Sequence, residues 1–299
     1  MENVIEAKAL WKSYGRTIAL RDFSIKVPRA SIFLLMGPNG SGKSTLLKII
    51  TGLIKPTQGG IAVLGLNPWR NRGVLFAQVG AMFEDHAPPD WASGREFLKY
   101  MATLKGSNSA KEDALEAASF FGVDEYWDKP ISSYSSGMRR KLALAHAFLR
   151  DPQLIMLDDP TVALDKESRE ALVDRVTNDF KRGRTCLIAS HIVTEFEDCA
   201  TNMGVLSHGR LLTVGTIEEA AKQTGIRSIA IETDKPGLAV EVLTKSGYTA
   251  KVDCNIITVE GAESPDELVR LLENQGARTQ VREVKWKIWD IYERALALR

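Results

Sequence analysis

The segment Ile32-Phe33-Leu34-Leu35-Met36-Gly37-Pro38-Asn39-Gly40-Ser41-Gly42-Lys43-Ser44-Thr45 sets a continuous apolar run directly before a glycine-rich turn and a lysine. An apolar run this short, without polar alternation, predicts a strand buried on both faces. The residues after it fit the pattern G-x-x-x-x-G-K-[ST]. Glycines reach backbone conformations closed to other residues, so successive N–H groups can converge on phosphate oxygens. Lys43 is then expected at the β- and γ-phosphates of a nucleotide, and Ser44 at its magnesium ion. Leu46, Leu47, Ile49, Ile50 and Leu53 recur at helical spacing over residues 43–53, with Gly52 and Pro56 marking the stop. A helix starting there aims its positive end at the same phosphates.

A second apolar run, Leu154-Ile155-Met156-Leu157, ends in Asp158-Asp159-Pro160. A buried strand that delivers a carboxylate at its C-terminal end is where a magnesium ligand belongs in a nucleotide-binding α/β fold, which assigns that role to Asp158. His191 follows a third apolar run, residues 185–189, and is expected at the same sheet edge.

Between and around these runs, strand patterns (18–27) alternate with helical ones (94–104, 111–121, 137–149, 166–182), which predicts an α/β domain with a largely parallel central sheet. Composition shifts near Thr224-Gly225, so residues 1–224 are read as one domain and 225–299 as a smaller second one. In the latter the order strand, helix, strand, strand, helix, strand resembles the split-βαβ, ferredoxin-like arrangement, followed by a terminal helix over 286–298.

The chain of 299 residues is 44% hydrophobic and 26% charged with a net charge of +1, so no global field favours nucleic acid. Cys186, Cys199 and Cys254 form neither a disulfide framework nor a metal cluster and are read as packing residues. No apolar run approaches the ~20 residues of a spanning helix. A role at a membrane therefore calls for a partner that holds the chain there.

Tyr134-Ser135-Ser136-Gly137-Met138 precedes the Asp158 strand and opens a helix. Together with the glycine loop and Asp158, that order resembles the nucleotide-binding domains of the ATP-binding cassette (ABC) transporter family, drug-export or ABC-2 type, over roughly residues 5–216. The resemblance implies a P-loop fold with a helical subdomain at about 85–150, and ATP with Mg2+ held between two such subunits in a homo- or heterodimer. It implies separate transmembrane permease subunits, a place on the cytoplasmic membrane face, and hydrolysis of ATP to power export. Position by position, Tyr14 resembles the aromatic that stacks on adenine. Ser135 and Gly137 resemble the signature atoms that touch the opposing subunit's ATP. Ala163-Leu164-Asp165 resembles the loop that faces the second subunit, and His191 the histidine that senses the γ-phosphate.

Three positions depart from the family pattern. Asp159 stands where a Glu usually polarises the attacking water, one methylene shorter, which puts the rate of hydrolysis in question. Glu84, with Gln78 as the other candidate, stands where a Gln usually meets magnesium. Ser136 replaces a Gly, placing a Cβ where backbone must approach phosphate. Because Asp159 and Ser136 fall in different composite sites of a heterodimer, one weakened site paired with a regular one is a natural reading. A regulatory ATP-binding module with little turnover, and a soluble non-transport ABC ATPase, stay open. Trp91 is read either as a docking residue or as subdomain packing. The aromatic terminal helix is read as packing on its own domain, on a second subunit or on a membrane.

Overall fold

The computed structural model describes residues 3–85, 88–191, 194–225, 228–253, 255–260, 262, 264–282 and 286–298. Two compact units divide the chain at Val214–Gly215. The division falls earlier than the compositional shift at Thr224-Gly225, because a helix capped by Thr216 belongs with the second unit.

The first unit contains two sheets. Strands β1 (Asn3–Tyr14), β2 (Thr17–Pro28) and β4 (Gln58–Val63) form an antiparallel sheet in the order β2-β1-β4. The larger sheet has the order β5-β6-β7-β3-β8-β9, from β3 (Ile32–Met36), β5 (Val79–Met82), β6 (Leu154–Asp158), β7 (Thr185–Ser190), β8 (Asn202–Ser207) and β9 (Arg210–Thr216). From β5 through β8 every neighbouring pair is parallel. Strands β3, β6, β7 and β8 are buried at every residue, as a parallel sheet covered on both faces requires. A core containing Leu10, Phe23, Phe33, Leu46, Met156 and Leu187 joins the two sheets through helix α1 (Lys43–Ile50).

Helix α1 stops at Ile50 and not at Leu53, because Gly52 takes φ +71 and turns the chain. α2 (Arg72–Gln78) leads into β5. Then α3 (Gly94–Leu104), α4 (Ala110–Phe120) and α5 (Ser136–Phe148) precede β6. α5 lies flat on β5: a Cβ on Gly80 would collide with the Ala147 carbonyl. α6 (Lys166–Lys181) connects β6 to β7.

In the second unit, β10 (Ser228–Thr233), β11 (Thr249–Asp253), β12 (Ile256–Glu260) and β13 (Thr279–Arg282) pair antiparallel in the order β11-β12-β10-β13. With α8 (Pro236–Lys245) and α9 (Pro265–Glu273) as crossovers, this is the split-βαβ order read from the sequence. Ile231, Leu243, Ile257, Val259, Leu268 and Leu272 form its core. The terminal helix α10 (Ile288–Ala297) buries Ile288, Ile291, Tyr292 and Ala295 and packs against α7 (Ile217–Gln223), so its apolar stripe serves its own unit. Cys186 is buried and Cys199 half-buried; Cys254 and His86 lie outside the described residues.

Candidate functional site

Strand register brings the site together. Met36 pairs with Ser190, and Asp158 with Ala189, so β3, β7 and β6 end side by side. One residue further on, Gly37, His191 and Asp159 stand along the same edge. This is the C-terminal edge of a parallel sheet at the point where the strand order changes direction, the usual ligand position in such sheets.

The glycine loop is shaped by close packing on one side and open space on the other. A Cβ on Gly37 would collide with the Leu206 carbonyl, and one on Gly42 (φ +113) would stand 2.5 Å from the Ala19 carbonyl. At Gly40 (φ +76) the space is open. The loop is braced from behind by Gly209, whose N–H donates to the Ser41 carbonyl at 2.8 Å. Lys43 is buried and its Nζ donates to the Gly37 carbonyl at 2.7 Å, curling back over the loop. Burial draws its ammonium below the ordinary lysine range, opposed by the charges of Asp159, Asp158 and Glu84.

Asp158 is almost fully buried, and burial raises its carboxyl above the usual range; the Ser44 hydroxyl and Lys43 oppose the rise. Two buried oxygens here, Asp158 Oδ1 and Ser41 Oγ, have no hydrogen-bond partner. Leaving them so is costly unless a ligand completes them. A hydroxyl and one carboxylate beside a phosphate cradle suit magnesium, which keeps waters and phosphate oxygens for its other positions.

Asp159 adopts φ +44, and its N–H donates to the Ala189 carbonyl at 2.8 Å. Its Oδ1 accepts from the Ser190 hydroxyl at 2.7 Å and stands 3.0 Å from His191 Nδ1. Glu84 is exposed just past the end of β5, on the Asp158 side, whereas Gln78 ends α2 just before that strand begins, bonded to Gln153 at 3.2 Å. Geometry therefore separates the two candidates: only Glu84 is at the site's end of the strand.

Tyr14 closes the β1–β2 hairpin, pairing with Thr17, and is half exposed. The ammonium of Lys12 sits 4.9 Å from its ring centroid. Ser135 caps α5, its hydroxyl accepting from the Met138 N–H at 3.2 Å; Ser136 is exposed, and a Cβ on Gly137 would stand 3.1 Å from the Ala163 carbonyl. The structure thus gathers Lys43, Ser44, Asp158, Asp159, Glu84 and His191 at one edge, with Ser135–Gly137 at the head of α5.

Several participants were not singled out from the sequence. Ser190 holds Asp159 through a register between strands that no local pattern reveals. Arg140 on α5 feels the opposing charges of Glu84, Asp159 and Asp158 while burial pulls its guanidinium down. Its spacing of one helical turn from Gly137 was the available signal.

The family profile described as ABC transporter matches residues 20–162. The bacitracin transport ATP-binding protein BcrA of Enterococcus faecalis is 33% identical over 75% of this chain and 72% of its own length. The daunorubicin resistance ATP-binding protein DrrA3 of Streptomyces coeruleorubidus is 29% identical over 90% of this chain and 88% of its own. Among solved structures, an ATP-binding subunit of an ABC transporter superposes with a TM-score of 0.70 at 27% identity, covering 74% of this chain and 93% of that one. A dimeric ATP-binding cassette, MJ0796, in a post-hydrolysis state with ADP and Pi shares the fold at a TM-score of 0.66 and 21% identity, covering 71% of this chain and 98% of that one. A glycine loop, a buried strand-end carboxylate and a neighbouring histidine on a shared fold agree with these likenesses: the chain belongs to the ABC transporter family, as one of its ATP-binding proteins.

Proposed function

We propose that this chain is the ATP-hydrolysing subunit of an exporter, acting as one of a pair of such subunits on separate transmembrane permease subunits at the cytoplasmic membrane face. The observation that carries the reading is the pair of unsatisfied buried oxygens, Asp158 Oδ1 and Ser41 Oγ, set beside Lys43 and the open side of the glycine loop. Ser44, Asp158 and Glu84 are the residues that would hold magnesium, which neutralises phosphate charge when bound. Lys43 and the loop N–H groups orient the β- and γ-phosphates, and Tyr14 stacks on the base. Asp159 takes the proton of the attacking water, and His191 steadies that carboxylate. Ser135, Ser136 and Gly137 face the nucleotide of the second subunit. The names of similar proteins, for daunorubicin resistance and bacitracin transport, favour a drug-like cargo. Among the described residues no helix is long and apolar enough to cross a membrane, which favours a permease partner as the anchor. Trp91, 86% exposed, is offered for that docking. A Trp91→Ala variant is expected to co-purify with the permease in reduced yield, and full yield removes it as an anchor.

One observation favours a slower variant of this reading. Asp159 is shorter than the usual Glu, and its Oδ1 is already engaged by Ser190 and His191. A weak base here suits one damped site in a heterodimer, or a module that clamps on ATP with little turnover. Steady-state ATPase activity of the chain and of Asp159→Glu, with and without the membrane partner, tests both readings. A slow wild type and a fast Glu variant make Asp159 limiting. A fast wild type that the change leaves alone makes the chain an ordinary transporter ATPase. No turnover in any combination overturns hydrolysis.

A further inference from the structure

Near its head, α5 carries three successive basic residues, and two of them have carboxylate partners. Arg139 stands 2.7 Å from Asp90 and also donates to the Tyr134 and Ser132 carbonyls at 3.4 Å. Lys141 Nζ lies 3.2 Å from Asp165. Arg140, between them, is half-buried, and among the described residues its guanidinium has neither a hydrogen bond nor an ion pair.

The packing of α5 decides where Arg140 lies. The Ala147 carbonyl presses on Gly80 near the start of β5, and the Gln153 N–H, just before β6, donates to the Gln78 carbonyl at 2.9 Å. The helix therefore runs back along β5, with its head at the edge where the strands end. Arg140 precedes Ala147 by about two helical turns, so it lies on the same, sheet-facing side, about 10 Å nearer the head. Glu84 lies about 13 Å beyond Gly80 in extended chain. The two residues are thus brought level. Burial lowers the pKa of the Arg140 guanidinium, and the charges of Glu84, Asp159 and Asp158, in that order, oppose the fall.

Three carboxylates, Glu84, Asp158 and Asp159, converge on this edge, and from the glycine loop Lys43 answers them. A carboxylate at position 84 attracts a hard cation more strongly than an amide does, yet its charge repels the other two and the phosphates. We infer that Arg140 is a positioning residue, the counter-charge of Glu84, and that the pair leaves position 84 electrically neutral, as the usual Gln would. The inference rests on the proposed reading of Glu84 and the glycine loop as a Mg-ATP site. Arginine suits the place, because a guanidinium stays charged when half-buried. Since no hydrogen bond closes the pair, the Glu84 oxygens stay open to magnesium.

Equilibrium titration of the full chain with ATP in excess Mg2+ tests the pair on wild type, Arg140→Gln, Glu84→Gln and the double variant, with melting temperatures as the fold control. Arg140→Gln is expected to weaken ATP binding about tenfold in the wild-type background and no more than about twofold in the Glu84→Gln background. Arg140→Lys, which keeps the charge, should stay within about threefold of wild type. An equal loss in both backgrounds would make Arg140 a direct phosphate ligand and overturns the counter-charge. No loss in either background overturns it as well. Should Arg140→Gln fail to fold, Arg140→Met, which keeps the apolar stem packed, takes its place in both backgrounds. Failure of both variants to fold makes Arg140 a residue of the core and overturns the inference. A wild-type chain that binds no ATP in Mg2+ sinks the proposed function instead.

Discussion

Asp159 Oδ1 and His191 Nδ1 stand 3.0 Å apart, although the two residues follow different strands and are separated by the whole of α6. The parallel register of β6 and β7 makes this contact, carrying each residue one step beyond a paired strand end. The same Asp159 oxygen accepts from the Ser190 hydroxyl, so the proposed base is held by the strand that supplies the histidine.

Asp159→Asn keeps the shape of the side chain and removes its charge. Turnover is expected to fall by about 10²–10⁴-fold, the usual range for losing a general base. ATP affinity, measured by equilibrium titration, should change by no more than about twofold, because Asp158 and the glycine loop are untouched. Equal losses in affinity and turnover would place Asp159 in binding.

Gly42→Ala meets two obstacles, a backbone at φ +113 and the Ala19 carbonyl 2.5 Å from the new Cβ. The first alone costs about 1–3 kcal/mol. Nucleotide affinity is expected to drop at least about tenfold, equivalent to ~1.4 kcal/mol, because the loop must shift to relieve the clash. Calorimetric titration with ATP measures it.

Gly80→Ala acts far from the nucleotide. Its Cβ would overlap the Ala147 carbonyl, forcing α5 away from β5. Overpacking of backbone against backbone should cost about 3 kcal/mol. A normal melting temperature for this variant would show that α5 can lift off the sheet freely.

Lys105 supplies a pH signature. Its side chain is buried, its Nζ donates to the Val79 carbonyl at 2.9 Å, and burial with Arg150 nearby draws its pKa from 10.5 to about 8. Between pH 8 and 10.5 the unfolded chain holds the proton that the folded chain has released, so stability rises with pH across that window. At neutral pH both states are charged and the folded state bears the full cost, on the order of 3 kcal/mol. Denaturant unfolding from pH 7 to 10 should show the rise in wild type and a flatter profile in Lys105→Met.

Those parts of the fold that are continuous apolar runs were legible in the chain. Residues 32–36, 154–157 and 185–189 lie within β3, β6 and β7, because strands buried on both faces leave no polar interruption. β4 is hidden because it opens with Gln58-Gly59-Gly60, which reads as a turn, and β8 because Asn202 and Gly204 break its run. The strand read over 18–27 lies within β2 (Thr17–Pro28), whereas β1 went unread, because its register shifts against β2 blur the period of two on which a strand reading depends. Within the site, Lys43, Ser44 and Asp158 follow from local motifs. Ser190 acquires meaning only from the register between β6 and β7, and Arg140 from the packing of α5 beside the strand ends, which a local motif does not encode.

The Gly209 N–H that props the Ser41 carbonyl, with the Leu206 carbonyl pressed against Gly37, makes the β8–β9 turn the floor of the glycine loop. A fragment confined to residues 20–162, the span of the family profile, would carry the whole glycine loop and both aspartates yet lack that floor. The shortest autonomous nucleotide-binding piece of this chain must therefore run past Gly209, and a truncation that stops before it should bind ATP poorly for want of support beneath the loop.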